Sequence, residues 1–296
     1  MADDGASFAW YELLTTDVGG ASAFYGSVLG WVTKDASTPG ISYKLFMSGE
    51  LTRGGLMELP EEGIRQGATP RWIGYVGVDD MDLAVRRMLE RGGAVYVPPT
   101  GTNIGRISIV ADPQRATFGL LSGSRIARPA VEGLDAPGRV GWHELLAADW
   151  RKAFGFYSEV FGWRQADSDV AGPESYQLFS AGGQTIGGIF NKRPLEPIAF
   201  WLYYFNVDDV DAAIVRVRAG GGRVYEGPLE LPNGSWIVRC LDPQGATFAL
   251  EGARSSDSIA KAPAAEYRWT TTWDGFTSKG RWRSGQPGGK GRRPGK

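Results

Sequence analysis

Two glutamates follow tryptophans by two residues at corresponding places in the chain: Glu12 after Trp10 and Glu144 after Trp142. Residues i and i+2 of an extended segment share a face, so each carboxyl is predicted to lie beside an indole. Burial next to an aromatic wall raises a carboxyl pKa and lets the group act as general acid or base. The competing reading is architectural: each glutamate pairs with an arginine or with backbone amides and fixes the fold. Both readings stand at this level, because structural ion pairs perturb carboxyls too.

Other chemistry is sparse. His143 is the single histidine, and alternation turns it away from the face shared by Trp142 and Glu144. It reads as structural, since a zinc or non-haem iron site draws on two or more convergent side chains. Cys240, the single cysteine, cannot form an internal disulfide and sits in the strand-like run WIVRC, where a small buried hydrophobe is expected. No phosphate loop, nucleophile motif or dinucleotide fingerprint is present.

The elements that must position these groups are written twice. WYELLTTDVGGASAFYGSVLGW, from Trp10 to Trp31, recurs as WHELLAADWRKAFGFYSEVFGW, from Trp142 to Trp163. Self-similarity at long period marks a duplication. Each copy reads as a strand followed by a helix. Asp17 or Asp149 is the N-cap, an apolar stripe (Ala21, Phe24, Tyr25, Val28, Leu29 in the first copy) follows at i, i+3, i+4, i+7, i+8, and Gly30 or Gly162 ends the helix.

Further strands are predicted at 42–48, 54–59, 72–78, 94–97, 106–111 and 117–121. A second helix carries Met81, Ala84, Val85 and Met88 and is closed by Gly92 and Gly93. Asp112 and Pro113 suit turn positions. Gly54 with Gly55, and Gly187 with Gly188, are expected as bulges in curled strands. The second half repeats the pattern, so the chain is four strand-helix-strands units in series. The proposed division is a first domain at 1–125, a linker at 126–139, a second domain at 140–254 and a basic tail at 255–296.

At 296 residues, 42% hydrophobic and 22% charged, the composition is globular and large enough for two cores. No apolar run of membrane-spanning length and no signal-peptide pattern occurs, which leads to the expectation of a cytoplasmic protein without membrane partners. The tail carries nine Lys or Arg against three Asp or Glu and includes Trp269, Trp273 and Trp282. Basic residues interleaved with aromatics can bind single-stranded nucleic acid. Gly and Pro content without periodicity points instead to a disordered extension, and nucleic acid is not the expected partner. Oligomeric state is left open.

Taken together, the two WxELL…FYxxxxGW openings, the VDDMDLAV and VDDVDAAI helix starts, and the DPQRATFGLL and DPQGATFALEG closings resemble the glyoxalase, bleomycin-resistance and extradiol-dioxygenase (vicinal oxygen chelate, VOC) superfamily. The likeness covers roughly residues 8–252 and is nearest to the two-domain actinobacterial glyoxalase-like type. It implies an α+β fold of four tandem βαβββ units, paired into two domains whose curled mixed sheets surround pockets.

The resemblance also implies where metal ligands would sit: at the start of each unit's first strand and near the end of its last. Counting seven residues back from Asp17, Asp79, Asp149 and Asp208, taken as the helix caps, lands on Trp10, Trp72, Trp142 and Trp201, and the closing-strand position holds Gly119 and Ala249. None offers a metal donor, so no metal or other cofactor is expected. What remains is a ligand wall of Trp10, Trp72, Trp142 and Trp201 with the phenol of Tyr203, and Glu12 and Glu144 as candidate catalytic acids. Aromatics line concave sites, although tryptophans at repeated positions also suit plain packing.

The function expected from these residues is binding of a small aromatic or oxygenated metabolite in a Trp-lined pocket, where Glu12 or Glu144 could do metal-free lyase- or isomerase-type acid–base chemistry. The alternatives are sequestration of an antibiotic without catalysis, as in bleomycin-resistance proteins, and a metal-dependent lyase or dioxygenase.

Overall fold

The computed structural model describes residues 6–65, 67–124, 133–166, 176–194, 196 and 198–255. The expectations for the tail, and for much of the linker, fall outside these residues.

The first half runs β1 (Phe8–Thr15), α1 (Val18–Leu29), β2 (Val32–Asp35), β3 (Lys44–Ser48), β4 (Leu51–Glu58), α2 (Glu61–Arg65), β5 (Arg71–Gly77), α3 (Met81–Glu90), β6 (Ala94–Gly101), β7 (Arg106–Ala111) and β8 (Thr117–Ser122). The second half runs β9 (Val140–Ala147), α4 (Trp150–Phe161), β10 (Arg164–Gln165), β11 (Tyr176–Ala181), β12 (Gln184–Asn191), β13 (Phe200–Asp209), α5 (Val210–Ala219), β14 (Arg223–Glu230), β15 (Trp236–Leu241) and β16 (Thr247–Ala253). Each half forms one mixed eight-stranded sheet that does not close, ordered β2-β3-β4-β1-β5-β8-β7-β6 and β10-β11-β12-β9-β13-β16-β15-β14. Two βαβββ units therefore join in each sheet through the antiparallel pairs β1–β5 and β9–β13.

Local chemistry explains the helices. The Asp17 carboxylate accepts from the Gly20 amide at 2.8 Å, and Gly30 takes φ 72° at the C-terminal end. Asp149 and Gly162 repeat this on α4, and such a cap is worth about 1 kcal/mol. On α3 and α5 the capping residues are Asp80 and Asp209, not Asp79 and Asp208. The VDD doublet offers two candidate caps one residue apart, and the second of each is used. Bulges occur at Arg53 and Ile186, the residues immediately before each glycine pair.

Alternation divides each sheet into two faces. One face of both sheets, with the helices, builds a core shared between the halves. There the Trp72 and Phe205 rings lie 4.9 Å apart, and the Arg216 guanidinium of α5 donates to the Val28 carbonyl of α1 at 3.1 Å. Two buried chains cross this interface reciprocally. Trp72 Nε1 donates to Tyr25 Oη (2.8 Å), which donates to Asp242 Oδ2 (3.1 Å); Trp201 Nε1 donates to Tyr157 Oη (3.0 Å), which donates to Asp112 Oδ2 (3.1 Å). Asp112 and Asp242 also accept from the Ala116 and Ala246 amides and so close the two DPQ turns. At the centre, Tyr11 Oη lies 2.5 Å from His143 Nε2, while His143 Nδ1 donates to the Ile186 carbonyl at 2.7 Å. Cys240 is buried, and burial pushes its thiol up to about 12.

Candidate functional site

The opposite face of each sheet carries its own smaller apolar cluster, one built on Trp10, Ile73 and Tyr75 and the other on Leu146, Leu202 and Tyr204. Glu12 and Glu144 project among these groups on β1 and β9, and both are buried. Trp10 and Trp142 share that face as alternation requires. Trp10 Nε1 donates to Tyr43 Oη at 3.2 Å and Trp142 Nε1 to Tyr176 Oη at 2.9 Å.

Trp72, Trp201 and Tyr203 do not join them. All three lie in the core between the halves, Tyr203 accepting from the Gly74 amide at 2.8 Å and the two indoles held by Tyr25 and Tyr157. The cause is the cap assignment. Seven residues back from the true caps, Asp80 and Asp209, stand Ile73 and Leu202, which do face the pocket side. A one-residue slip along a strand exchanges the faces.

The phenols that sequence reasoning missed are Tyr43, Tyr75, Tyr176 and Tyr204. Glu12 Oε1 accepts from Tyr43 at 2.6 Å and Oε2 from Tyr75 at 2.7 Å. In the second half Glu144 accepts from Tyr176 at 3.0 Å and from Tyr204, and the Arg239 guanidinium adds an ion pair at 2.7 Å. Arg239 also donates to Tyr204 Oη (2.9 Å) and to Glu226 (2.7 Å), which Arg193 contacts in turn. The glycine pairs gave a signal for the tyrosines. A Cβ at Gly55 would overlap the Tyr43 hydroxyl, and one at Gly188 the Tyr176 ring, so these glycines make room for the phenols that reach the carboxylates.

The two constellations differ on their outer strands, where the facing pair Arg239 and Glu226 of the second half has Ile109 and Val97 as its register counterparts in the first. Arg239 of β15 pairs with Ala249 of β16, and the residue that pairs with Gly119 of β8 in the matching register is Ile109 of β7. Glu144 therefore has the arginine partner of the architectural reading. Glu12 has two phenols, and burial outweighs their hydrogen bonds to raise its carboxyl above the ordinary glutamate value. Desolvation, followed by the charge of Glu12, also pushes the Tyr43 and Tyr75 phenols up, so they remain donors.

Beside Glu12 lies a cavity of about 150 Å³, lined by Glu12, Ile41, Tyr43, Met57, Thr102, Asn103, Ile104 and Ile107. No tryptophan lines it. Its walls come from both ends of the sheet: Ile41 and Tyr43 precede β3, whereas Thr102, Asn103 and Ile104 join β6 to β7. Asn103 Nδ2 donates to the Ala36 carbonyl at 3.0 Å and ties these two loops together.

The profile of the Glyoxalase/Bleomycin resistance protein/Dioxygenase superfamily matches residues 7–120 and 139–250. The chain belongs to this family. Among its relatives, the glyoxylase-designated CFP32 of Mycobacterium bovis is 31% identical over 81% of this chain and 92% of its own length. The anthracycline biosynthesis protein DauV of Streptomyces sp. strain C5 is 30% identical over 84% of this chain and 94% of its own. The Mn(II)-bound glyoxalase of Novosphingobium aromaticivorans shares the fold with a TM-score of 0.59 at 14% identity, covering 85% of this chain and 84% of that one.

The residues present here do not fit such a metal. With the caps corrected, the ligand positions implied by the family hold Trp10, Ile73, Trp142, Leu202, Gly119 and Ala249, none a donor. Among the described residues no three His, Cys, Asp or Glu side chains converge in a metal-holding group. Nor is any helix among them long and apolar enough to cross a membrane.

Proposed function

We propose that the first-half pocket binds a small oxygen-bearing metabolite and that Glu12 is its acid–base group, acting without a metal. The observation that carries this reading is the contrast between the two carboxyls. Glu144 is neutralised by Arg239, whereas Glu12 faces a cavity with phenols as its partners and a pKa raised by burial. A carboxyl so poised exchanges a proton with a bound hydroxyl or an enolisable carbon more readily than an ion-paired one. Tyr43, on the cavity wall beside it, donates its O–H to Glu12 Oε1 and so steadies the carboxylate form that takes the proton. The glyoxylase and anthracycline-biosynthesis designations of the two relatives support an oxygenated small molecule as ligand.

A second reading rests on the fact that both Glu12 oxygens are already held by phenols. Such a site also suits a protein that sequesters its ligand unchanged.

A metabolite screen read by tryptophan quenching tests the assignment. For a compound that binds, Glu12→Gln should weaken affinity about tenfold, the cost of a hydrogen bond to a charged group, while Glu144→Gln and His143→Asn leave it nearly unchanged. Equal affinity for Glu12→Gln and the unaltered protein would remove Glu12 from the site. Recovery or consumption of the compound after incubation separates sequestration from turnover.

A further inference from the structure

The cavity restricts its occupant by size and by charge. A cavity of about 150 Å³ whose open wall is almost entirely apolar matches one benzene-sized ring in volume, so a second fused ring would have to lie outside it. Ile41, Met57, Ile104 and Ile107 give most of the wall. Of the polar groups at the loop side, Thr102 Oγ1 donates to the Gly105 carbonyl and Asn103 Nδ2 to the Ala36 carbonyl, so both are engaged within the protein. Polar recognition is left to the end where Glu12 and Tyr43 meet.

No Lys, Arg or His lines the cavity. An anion placed there would lie against a buried carboxyl with no cation to offset it, which low dielectric makes costly. An ammonium would have to leave water for a mainly apolar wall and place three donors against the lone pairs that Tyr43 and Tyr75 leave on Glu12 and the side-chain oxygens of Thr102 and Asn103, which one neutral oxygen does not require. A neutral hydroxyl donates to a lone pair that the phenols leave on the ionised Glu12 carboxylate, and a ketone oxygen accepts from the same carboxyl when it is protonated, the single Tyr43 O–H being given to Glu12.

We infer that this pocket selects a neutral single-ring compound carrying a hydroxyl or ketone oxygen, such as a phenol or an enolisable cyclic ketone, and rejects carboxylates, amines and fused-ring molecules. The selection rests on the pocket being the binding site proposed above. It places Glu12 at the hydroxyl or ketone oxygen and the isoleucines against the ring.

Four probes test it on the full chain by calorimetry and ligand-detected NMR: phenol, benzoate, benzylamine and 2-naphthol. Ile104→Phe and Ile107→Phe, each checked for folding by circular dichroism, fill the cavity from different strands or loops and report whether binding occurs there. Phenol should bind at least tenfold more tightly than the other three, and either filling variant should weaken it at least tenfold. Benzoate, benzylamine or 2-naphthol binding as tightly as phenol, with the same sensitivity to the filling variants, would overturn the selectivity while keeping the site. If none of the four probes shows binding sensitive to either variant, the pocket assignment itself fails.

Discussion

Ile109 holds in the first half the register position that Arg239 holds in the second, so one buried carboxyl of the duplicated pair has a guanidinium beside it and the other does not. The proposed assignment of an acid–base role to Glu12 rather than Glu144 rests on this difference.

Stability should report that separation. Glu144→Gln leaves a buried guanidinium with Glu226 as its remaining carboxylate among the contacts described, and should destabilise the fold by about 2–3 kcal/mol. Glu12→Gln removes no ion pair and should cost about 1 kcal/mol or less. Urea unfolding of both variants checks the order, and equal losses would contradict it.

Introducing the missing cation should convert one site into the other. Ile109→Arg is expected to direct a guanidinium at Glu12, fill the cavity and abolish phenol binding, with an overpacking cost of about 1–3 kcal/mol. Calorimetry with phenol supplies the readout. Retained affinity in a folded variant would show that the side chain does not enter the cavity.

His143 should give the fold an acid-sensitive component. Burial, followed in the same direction by the charge of Arg139, outweighs the Ile186 hydrogen bond and lowers its pKa from 6.5 to about 4. The unfolded chain therefore binds a proton that the folded protein refuses between these values. The contribution is complete above pH 6.5 and is lost as pH falls towards 4, about 3 kcal/mol over the window. Comparing His143→Gln with the unaltered chain by denaturation at pH 7 and pH 4.5 isolates it: the variant should lose less stability on acidification.

Tyr25→Phe and Tyr157→Phe should be equivalent, because each removes one central hydroxyl from reciprocal chains of matched geometry. Each leaves an indole N–H and a carboxylate oxygen without that partner, and a loss of about 2–3 kcal/mol is expected. Thermal unfolding of both variants tests the equivalence.

Much of the fold was legible in the sequence because its signals are local. Asp17 and Gly30 bracket α1 as Asp149 and Gly162 bracket α4, and the repeated openings and closings identify four units. The face of Glu12 and of Glu144 was readable too, since β1 and β9 lead into a single capping aspartate. The face of Trp72 and Trp201 was not, because the VDD doublets present two candidate caps and the choice depends on which carboxylate reaches the Leu83 or the Asp211 and Ala212 amides. Tyr43 and Tyr75 escaped notice for a different reason. They reach Glu12 from 31 and 63 residues away, Tyr75 diagonally from the neighbouring strand β5 and Tyr43 over Gly55 of β4, through strand pairings that no periodicity encodes. The glycines that admit Tyr43 and Tyr176 were visible, but their role is a close approach seen only in three dimensions.

The exchange of Tyr25 to Asp242 and Tyr157 to Asp112 has a consequence for how the duplicated copies can change. Altering either tyrosine disturbs a turn in the opposite copy, so the interface binds both copies to a common design. The pocket faces have no such reciprocity: Glu12 and Glu144 each find their partners within their own half. One copy can therefore trade an arginine for an isoleucine without unsettling its twin. The fold keeps a spare scaffold at its back while the front is free to specialise.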